Sequence, residues 1–297
     1  MRTLTLKVDV DTLRGTREGV PRLGALFERL GIPATFLFSL GPDNTGRALR
    51  RVFRRGFLAK VRRTSVVSNY GLRTLLYGTL LPGPDIGRRC RLEMRAIMQQ
   101  GFEVGVHTYD HVKWQDGVAN ASLEWTREQL ALAVKSFERI FDFPPRVHGA
   151  AGWQLNSHVP RLQAQFGFQL ASDTRGTSPF LPEGGGVMQL PTTLPTLDEI
   201  LERDDPGAGR AIDRLLALTH DGAVQDHVYT LHAELEGGAY LPQFEKLLLA
   251  WRAAGVGFTT LGSAAAALAG TNLPVCRIVA GEVPGRSGEL ALQSGTA

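Results

Sequence analysis

Strand-like and helix-like segments alternate along almost the whole chain, and this alternation limits the possible folds more than any other feature. Residues 3–11 place Leu4, Leu6, Val8 and Val10 on one face and Thr5, Lys7, Asp9 and Asp11 on the other, the two-residue period of a β-strand. Pro21 then opens a stretch with Leu23, Leu26, Phe27 and Leu30 at helical spacing, and Gly31 stands where such a helix would stop. The same reading predicts strands at 34–40, 102–107, 147–151, 168–172, 187–190, 228–232 and 256–260. Helices are expected at 86–100, 122–141, 159–166, 211–218 and 244–253. Alternating βα units imply parallel strands, and about eight of them in one chain predict a single α/β domain, a distorted (β/α) TIM-like barrel, closed or nearly so. The domain is expected to span 1–280, with the Gly- and Ser-containing residues 281–297 as a flexible tail.

Charge is unevenly distributed. The chain carries 33 basic and 29 acidic residues, but Asn44 to Pro84 holds nine Arg or Lys and no acid, which leaves the remainder at −5. Cys90 and Cys276 have neither metal-type spacing nor a disulfide framework, and Cys90 falls on an apolar helical stripe with Ile86, Met94 and Ile97. The first residues lack the apolar run of a signal peptide, and no stretch is long enough for a membrane span, so a cytoplasmic protein is expected.

Chemistry is concentrated at two expected strand ends. His107-Thr108-Tyr109-Asp110-His111 follows the strand at 102–106, and if that turn is helical both imidazoles project from one face and can share a cation. Two surface histidines would look the same. Asp9-Val10-Asp11 places two carboxylates on one face at the end of the first strand, where without a cation they would repel or pair with Arg14 or Arg17. Strand C-termini converge at one face of a barrel, so Asp11, His107 and His111 are candidate metal ligands. Three protein ligands leave an open position for water and substrate, and this ligand set admits zinc, manganese or cobalt. Thr108 occupies the place where the His-Glu-x-x-His motif carries its base, which makes Asp9 the candidate general base. His232, at the end of the strand 227–231, is the candidate acid for a departing nitrogen.

On these residues the chain resembles the polysaccharide deacetylase family, the NodB-like carbohydrate esterases of family four. The resemblance implies a metal-dependent hydrolase of acyl–nitrogen bonds. By the same likeness Asp9 is base, Asp11, His107 and His111 are ligands and His232 is acid. The stretches from Asp9 to Leu23, Gly41-Pro42-Asp43-Asn44, Ala150-Ala151-Gly152-Trp153 and His232 to Gly237 are similar to a deformylase branch of that family. That branch implies a formamido-arabinose on undecaprenyl phosphate as substrate, with Arg14, Asp43, Asn44, Trp153, Asp173, Arg175 and Glu234 near it, and a product used in lipid A modification and polymyxin resistance. One departure stands out. The family's third motif presents an Arg that orients the base, and here Ala150-Ala151-Gly152-Trp153 has none; Asp173 stands near the fourth-motif position, and Arg175 is the candidate replacement.

The basic segment fits a membrane-borne substrate. From Arg47 to Arg62, Leu49, Val52, Phe53 and Phe57 share one side of a helical wheel and Arg47, Arg50, Arg51, Arg54 and Arg55 the other, the pattern of a basic amphipathic helix. An anionic inner-membrane surface at the cytoplasmic face is one expected partner. A helical lid packed on the barrel is the plainer alternative. Nucleic acid is not expected, because no recognition motif accompanies the charge. An N-deacetylase of another amino sugar and a non-catalytic binder of polyprenyl-phosphate lipids remain the alternative functions.

Overall fold

The computed structural model describes residues 2–48, 74–204, 207–220, 226–286 and 288–296. The expected amphipathic helix lies almost wholly outside the described residues. The parallel sheet is centred on β1 (Thr3–Val10), buried along both faces despite its alternating sequence. Leu4, Leu6, Val8 and Val10 pack outward into the main core with Leu23 and Phe27 of α1 (Val20–Leu30). The polar face points into the barrel, where Thr5, Lys7 and Asp9 are all shielded from solvent. What reads as a half-exposed strand is therefore a fully buried one whose polar side lines an interior.

Parallel ladders extend from β1 in both directions. On one side it pairs with β2 (Thr35–Ser39), then β3 (Glu103–Thr108), β4 (Val147–His148), β5 (Leu170–Ala171) and, beyond β6 (Leu181–Pro182), with β7 (Met188–Gln189). On the other it pairs with β8 (Asp226–His232). The short β9 (Gly257–Thr259) pairs with Thr3 to Thr5, filling the edge of β1 below β2. No ladder joins β7 to β8 among the described residues, yet the seam is bridged: Thr193 N–H donates to the Val228 carbonyl at 3.1 Å, and the Thr192 and Thr230 hydroxyls meet at 2.7 Å. The expected parallel α/β barrel is thus present in distorted form. Leu37, Val147, Leu170, Leu190 and Val228, from the strands and their ends, form a separate buried cluster with Leu261, which opens the helix Leu261–Ala267.

Register fixes what faces what. Asp9 pairs with His232 on β8 and with Leu37 on β2, so the end of β1 and the end of β8 lie side by side at the same height. Gly105 on β3 permits the tight curl: a Cβ there would lie 2.6 Å from the Val147 carbonyl and 2.7 Å from Leu37.

Two expectations change. The helix at 86–100 is broken at Cys90, whose φ of −118° separates α2 (Ile86–Arg89) from α3 (Arg91–Gln99). The expected flexible tail is strand: β11 (Glu289–Thr296) pairs antiparallel with β10 (Val275–Glu282), and β10 continues parallel to β6 as a second sheet. Gly and Ser content suggested fraying, but the Leu290 and Ala291 side chains are buried, and Arg175 exchanges backbone hydrogen bonds with Ala291 and Gln293. The hairpin is thereby tied to the barrel mouth.

Gly105→Ala is expected to destabilise the protein by about 1–3 kcal/mol through overpacking. Gly209→Ala, at an exposed position of the helix Gly207–His220 with nothing within 4 Å of the new methyl, should stabilise it by about 0.5–1 kcal/mol. Chemical denaturation of the two variants checks the contrast.

Candidate metal centre and active site

Three separate elements bring Asp11, His107 and His111 together. Asp11 follows the last residue of β1, His107 lies on β3, and His111 opens α4 (His111–Gly117), capped by the Asp110 carboxylate accepting from Lys113 N–H. The turn between the histidines is not helical, so the condition under which their spacing alone would place both on one face does not hold. A strand end and a helix start set the two imidazoles 5.3 Å apart, centre to centre. The potential ligand atoms of Asp11, His107 and His111 all lie within 4.8 Å of one another. Asp11 Oδ1 is 3.2 Å from His107 Nε2 and 3.5 Å from His111 Nε2.

The donor set fits a cation on its own geometry. His107 Nδ1 lies 2.7 Å from the Gly149 carbonyl, which can only accept, so Nδ1 carries the proton and a neutral ring turns the lone pair of Nε2 toward Asp11. Asp11 Oδ1 is buried with no hydrogen-bond partner among the described residues. A carboxylate oxygen facing two imidazole nitrogens in a largely buried site suits a cation between them. Burial works to raise the Asp11 carboxyl, but His111 and His107 outweigh it and hold it below the ordinary carboxylate range.

Asp9 sits beside this cluster, 2% exposed, with Oδ1 3.8 Å from His107 Nδ1 and without a hydrogen-bond partner among the described residues. Its other oxygen faces a buried cation that sequence reasoning missed. Lys7 Nζ lies 3.4 Å from Asp9 Oδ2 and donates to the Ser172 carbonyl at 2.9 Å. The two-residue period that put Asp9 on the polar face of β1 also put Lys7 there, and that was the available signal. Arg175 does not take this place. Its guanidinium bonds Glu199 at 2.5 Å and the Leu194 carbonyl at 3.0 Å.

His232 and its partner differ likewise from expectation. His232 Nδ1 lies 3.7 Å from Asp198 Oδ1, and Asp198 lies in the first turn of α5 (Leu197–Asp204), a helix absent from the sequence reading. Burial lowers the His232 imidazole, but Asp198 first and then Asp11 raise it, with a net upward shift. Burial likewise raises Asp198, while Arg286 and His232 pull it down to about 2. Asp173 instead pairs with His148 at 2.9 Å and accepts from Ala150 N–H, Gln163 and Gln189, a buried brace away from His232.

Trp153 forms the opposite wall. Its left-handed backbone (φ 52°) follows Gly152 (φ 61°), and Lys7, Arg175 and Arg286 stand over its ring at 5.3, 5.1 and 4.7 Å. Arg286, from the hairpin between β10 and β11, lines the same cavity and holds Asp198 at 3.4 Å and Glu199 at 3.0 Å. No motif announced Arg286 or Asp198.

The remaining expected residues act on the ligand loop rather than in the cavity. Glu234 Oε1 accepts from Asp11 N–H, Thr12 N–H and the Thr12 hydroxyl at 3.1, 2.8 and 2.7 Å. Burial, then Asp11, push the Glu234 carboxyl up to about 7. Gly15 is needed for this contact, since a Cβ would overlap Glu234. Asp43 spends its carboxylate on Leu13 N–H and on the backbone and hydroxyl of Thr45, and Asn44 donates to Asp110. Arg14 pairs with Glu18 at 3.1 Å beside a separate small pocket.

No family model matches the chain. It is similar to a Shewanella sediminis (strain HAW-EB3) protein named "Probable 4-deoxy-4-formamido-L-arabinose-phosphoundecaprenol deformylase ArnD", with 37% identity over 247 residues, 82% of this chain and 79% of the relative. A Wigglesworthia glossinidia brevipalpis protein of the same name is 32% identical over 94% of this chain and 98% of its own. Among solved structures, a polysaccharide deacetylase structure from Mycobacterium smegmatis superposes with a TM-score of 0.65 over 95% of this chain and 96% of that one, at 18% identity that speaks for the fold. The barrel is thus of the polysaccharide deacetylase kind, and by sequence the chain belongs to the 4-deoxy-4-formamido-L-arabinose-phosphoundecaprenol deformylase family.

Proposed function

We propose that this protein is a metal-dependent deformylase that hydrolyses the formamide of 4-deoxy-4-formamido-L-arabinose carried on undecaprenyl phosphate, releasing formate and the 4-amino sugar. The observation that carries the reading is the meeting of Asp9, Asp11, His107, His111 and His232 at one barrel mouth, in a chain with this family's sequence. Asp11, His107 and His111 would hold a divalent cation, zinc, manganese or cobalt by donor type. When bound, that ion supplies Lewis acidity at the amide oxygen and makes water there easier to deprotonate.

The chain's own groups divide the proton work. Asp9 lines the cavity and its unpartnered Oδ1 accepts a proton from the attacking water, while Lys7 holds Oδ2 and with it the angle of the carboxylate. His232, whose imidazole Asp198 shifts toward its charged form, gives a proton to the nitrogen as the carbon–nitrogen bond breaks. Trp153 closes the wall and, with Arg286, limits the space to about 200 Å³. The amine so formed gains a positive charge; in lipid A that charge weakens the binding of polymyxin and other cationic peptides.

No described helix is long and apolar enough to cross a membrane. We infer peripheral attachment to the cytoplasmic face of the inner membrane from the nine basic residues between Asn44 and Pro84, which suit an anionic surface at about 1 kcal/mol each when close to it.

Purified protein should contain about one divalent ion per chain by elemental analysis and release formate from the formamido lipid; chelation should abolish turnover, and acetate release from an acetamido analogue at equal rate would refute the deformylase reading. Asp9→Asn should cut kcat by roughly 10²–10⁴-fold with the metal retained. Lys7→Met should lower kcat on the order of 10²-fold through a misaimed Asp9, and Lys7→Arg should recover part of it. Asp198→Asn removes the charge that raises His232, so a smaller fraction of His232 is protonated at any given pH; the alkaline limb of the kcat profile should move roughly one unit or more to lower pH.

A further inference from the structure

Next to the metal-side cavity lies a second, larger groove of about 490 Å³. The two share a wall. Val112 lines both, and the helical turn 45–48 offers Thr45 and Ala48 to the metal side while Asn44 and Arg47 face the groove. The groove continues along α4, the helix that begins with His111 and carries Lys113 on the groove side.

Their electrostatics differ. Asp9, Asp11 and Asp198 line the metal-side cavity, whose Arg286 is engaged with Asp198 and Glu199. That guanidinium is thus committed to carboxylates rather than offered to a phosphate. The groove presents Arg47 and Lys113, both exposed, against one carboxylate, Asp116. Arg47 Nε donates to the Gly78 carbonyl at 2.7 Å, which anchors the guanidinium while using one of its five N–H groups. Lys113 Nζ stands 5.7 Å from the centre of the Trp125 ring.

Substrate chemistry requires a second seat of this kind. In a pyranose the C4 nitrogen and the C1 oxygen lie on opposite sides of the ring, so an amide placed at the metal ligands directs the phosphate away from them. A cavity of about 200 Å³ holds the sugar and its amide but not the phosphodiester and chain as well.

We propose that the groove is the phosphodiester seat of the substrate: Arg47 and Lys113 pair with the phosphate oxygens, and Val112 and Trp125 cover the first isoprene unit. The assignment rests on the deformylase reading above, since it takes the amide to lie at Asp11, His107 and His111.

The test uses the full-length enzyme and the double variant Arg47→Ala, Lys113→Ala, both exposed positions, with a thermal melt to confirm the fold. Two substrates are compared: the farnesyl phosphodiester of the formamido sugar and the neutral octyl glycoside of the same sugar. The variant should raise KM for the phosphodiester roughly 10- to 100-fold with kcat retained, and leave the glycoside unchanged. An unchanged KM for the phosphodiester, or an equal loss on both substrates, would overturn the proposal. Calorimetric titration with farnesyl phosphate and with inorganic phosphate gives a readout independent of turnover. Wild type should bind farnesyl phosphate more tightly than inorganic phosphate, and the variant should lose that binding even if neither substrate yields formate, an outcome that would sink the deformylase reading alone. Equal affinity for both phosphates would overturn the lipid seat.

Discussion

Everything at the barrel mouth depends on β1 being the strand between two parallel neighbours. Its ladders to β2 and β8 hold the backbone on both sides, so the side chains at positions 7 and 9 have no choice of direction. Lys7 and Asp9 are thereby buried as a pair, 3.4 Å apart, under the cavity floor. An unpaired charge in that place would be costly, and either alone would be a liability; together, with the Ser172 carbonyl as a third partner, they are tolerated. One residue past the strand, Asp11 leaves the ladder and takes up the cradle made by Glu234.

The parts of this arrangement that were legible in the sequence are those governed by local periodicity. Leu4 to Val10 and the spacing of Leu23, Leu26, Phe27 and Leu30 announced β1 and α1 because period two and period 3.6 are local properties. The pairing of Asp9 with Asp11, and of His107 with His111, stood out for the same reason. Asp198 and Arg286 were not legible. Each reaches the site through a long-range packing decision: a helix that starts after the barrel seam, and a hairpin whose Gly- and Ser-containing sequence looked unstructured. Lys7 was visible as a residue but not as a partner, since only burial on both faces of β1 gives it no solvent to reach.

The missing third-motif guanidinium illustrates how a role can move between elements. With Gly152 and Trp153 in left-handed conformations after β4, the backbone there turns a flat ring to the cavity rather than a long cation. Gly149 then matters, because a Cβ would come within 3.1 Å of Lys7 Cε; the strand that lacks the Arg makes room for the Lys. The positive charge beside Asp9 is thus supplied from the adjacent residue on its own strand face.

The wider charge pattern follows the same logic. Arg175, Glu199, Arg286 and Asp198 alternate in sign from the barrel seam to His232, and the two guanidinium groups and Lys7 all lie against the Trp153 ring. Each acid in the row is held between cations, so Asp198 stays ionised despite its burial and can keep a positive imidazole next to it. Because Arg286 lies in the hairpin between β10 and β11, the C-terminal strands are electrostatically part of the site. Loosening that hairpin would weaken the hold on Asp198 first and, through it, the upward pull on the His232 imidazole.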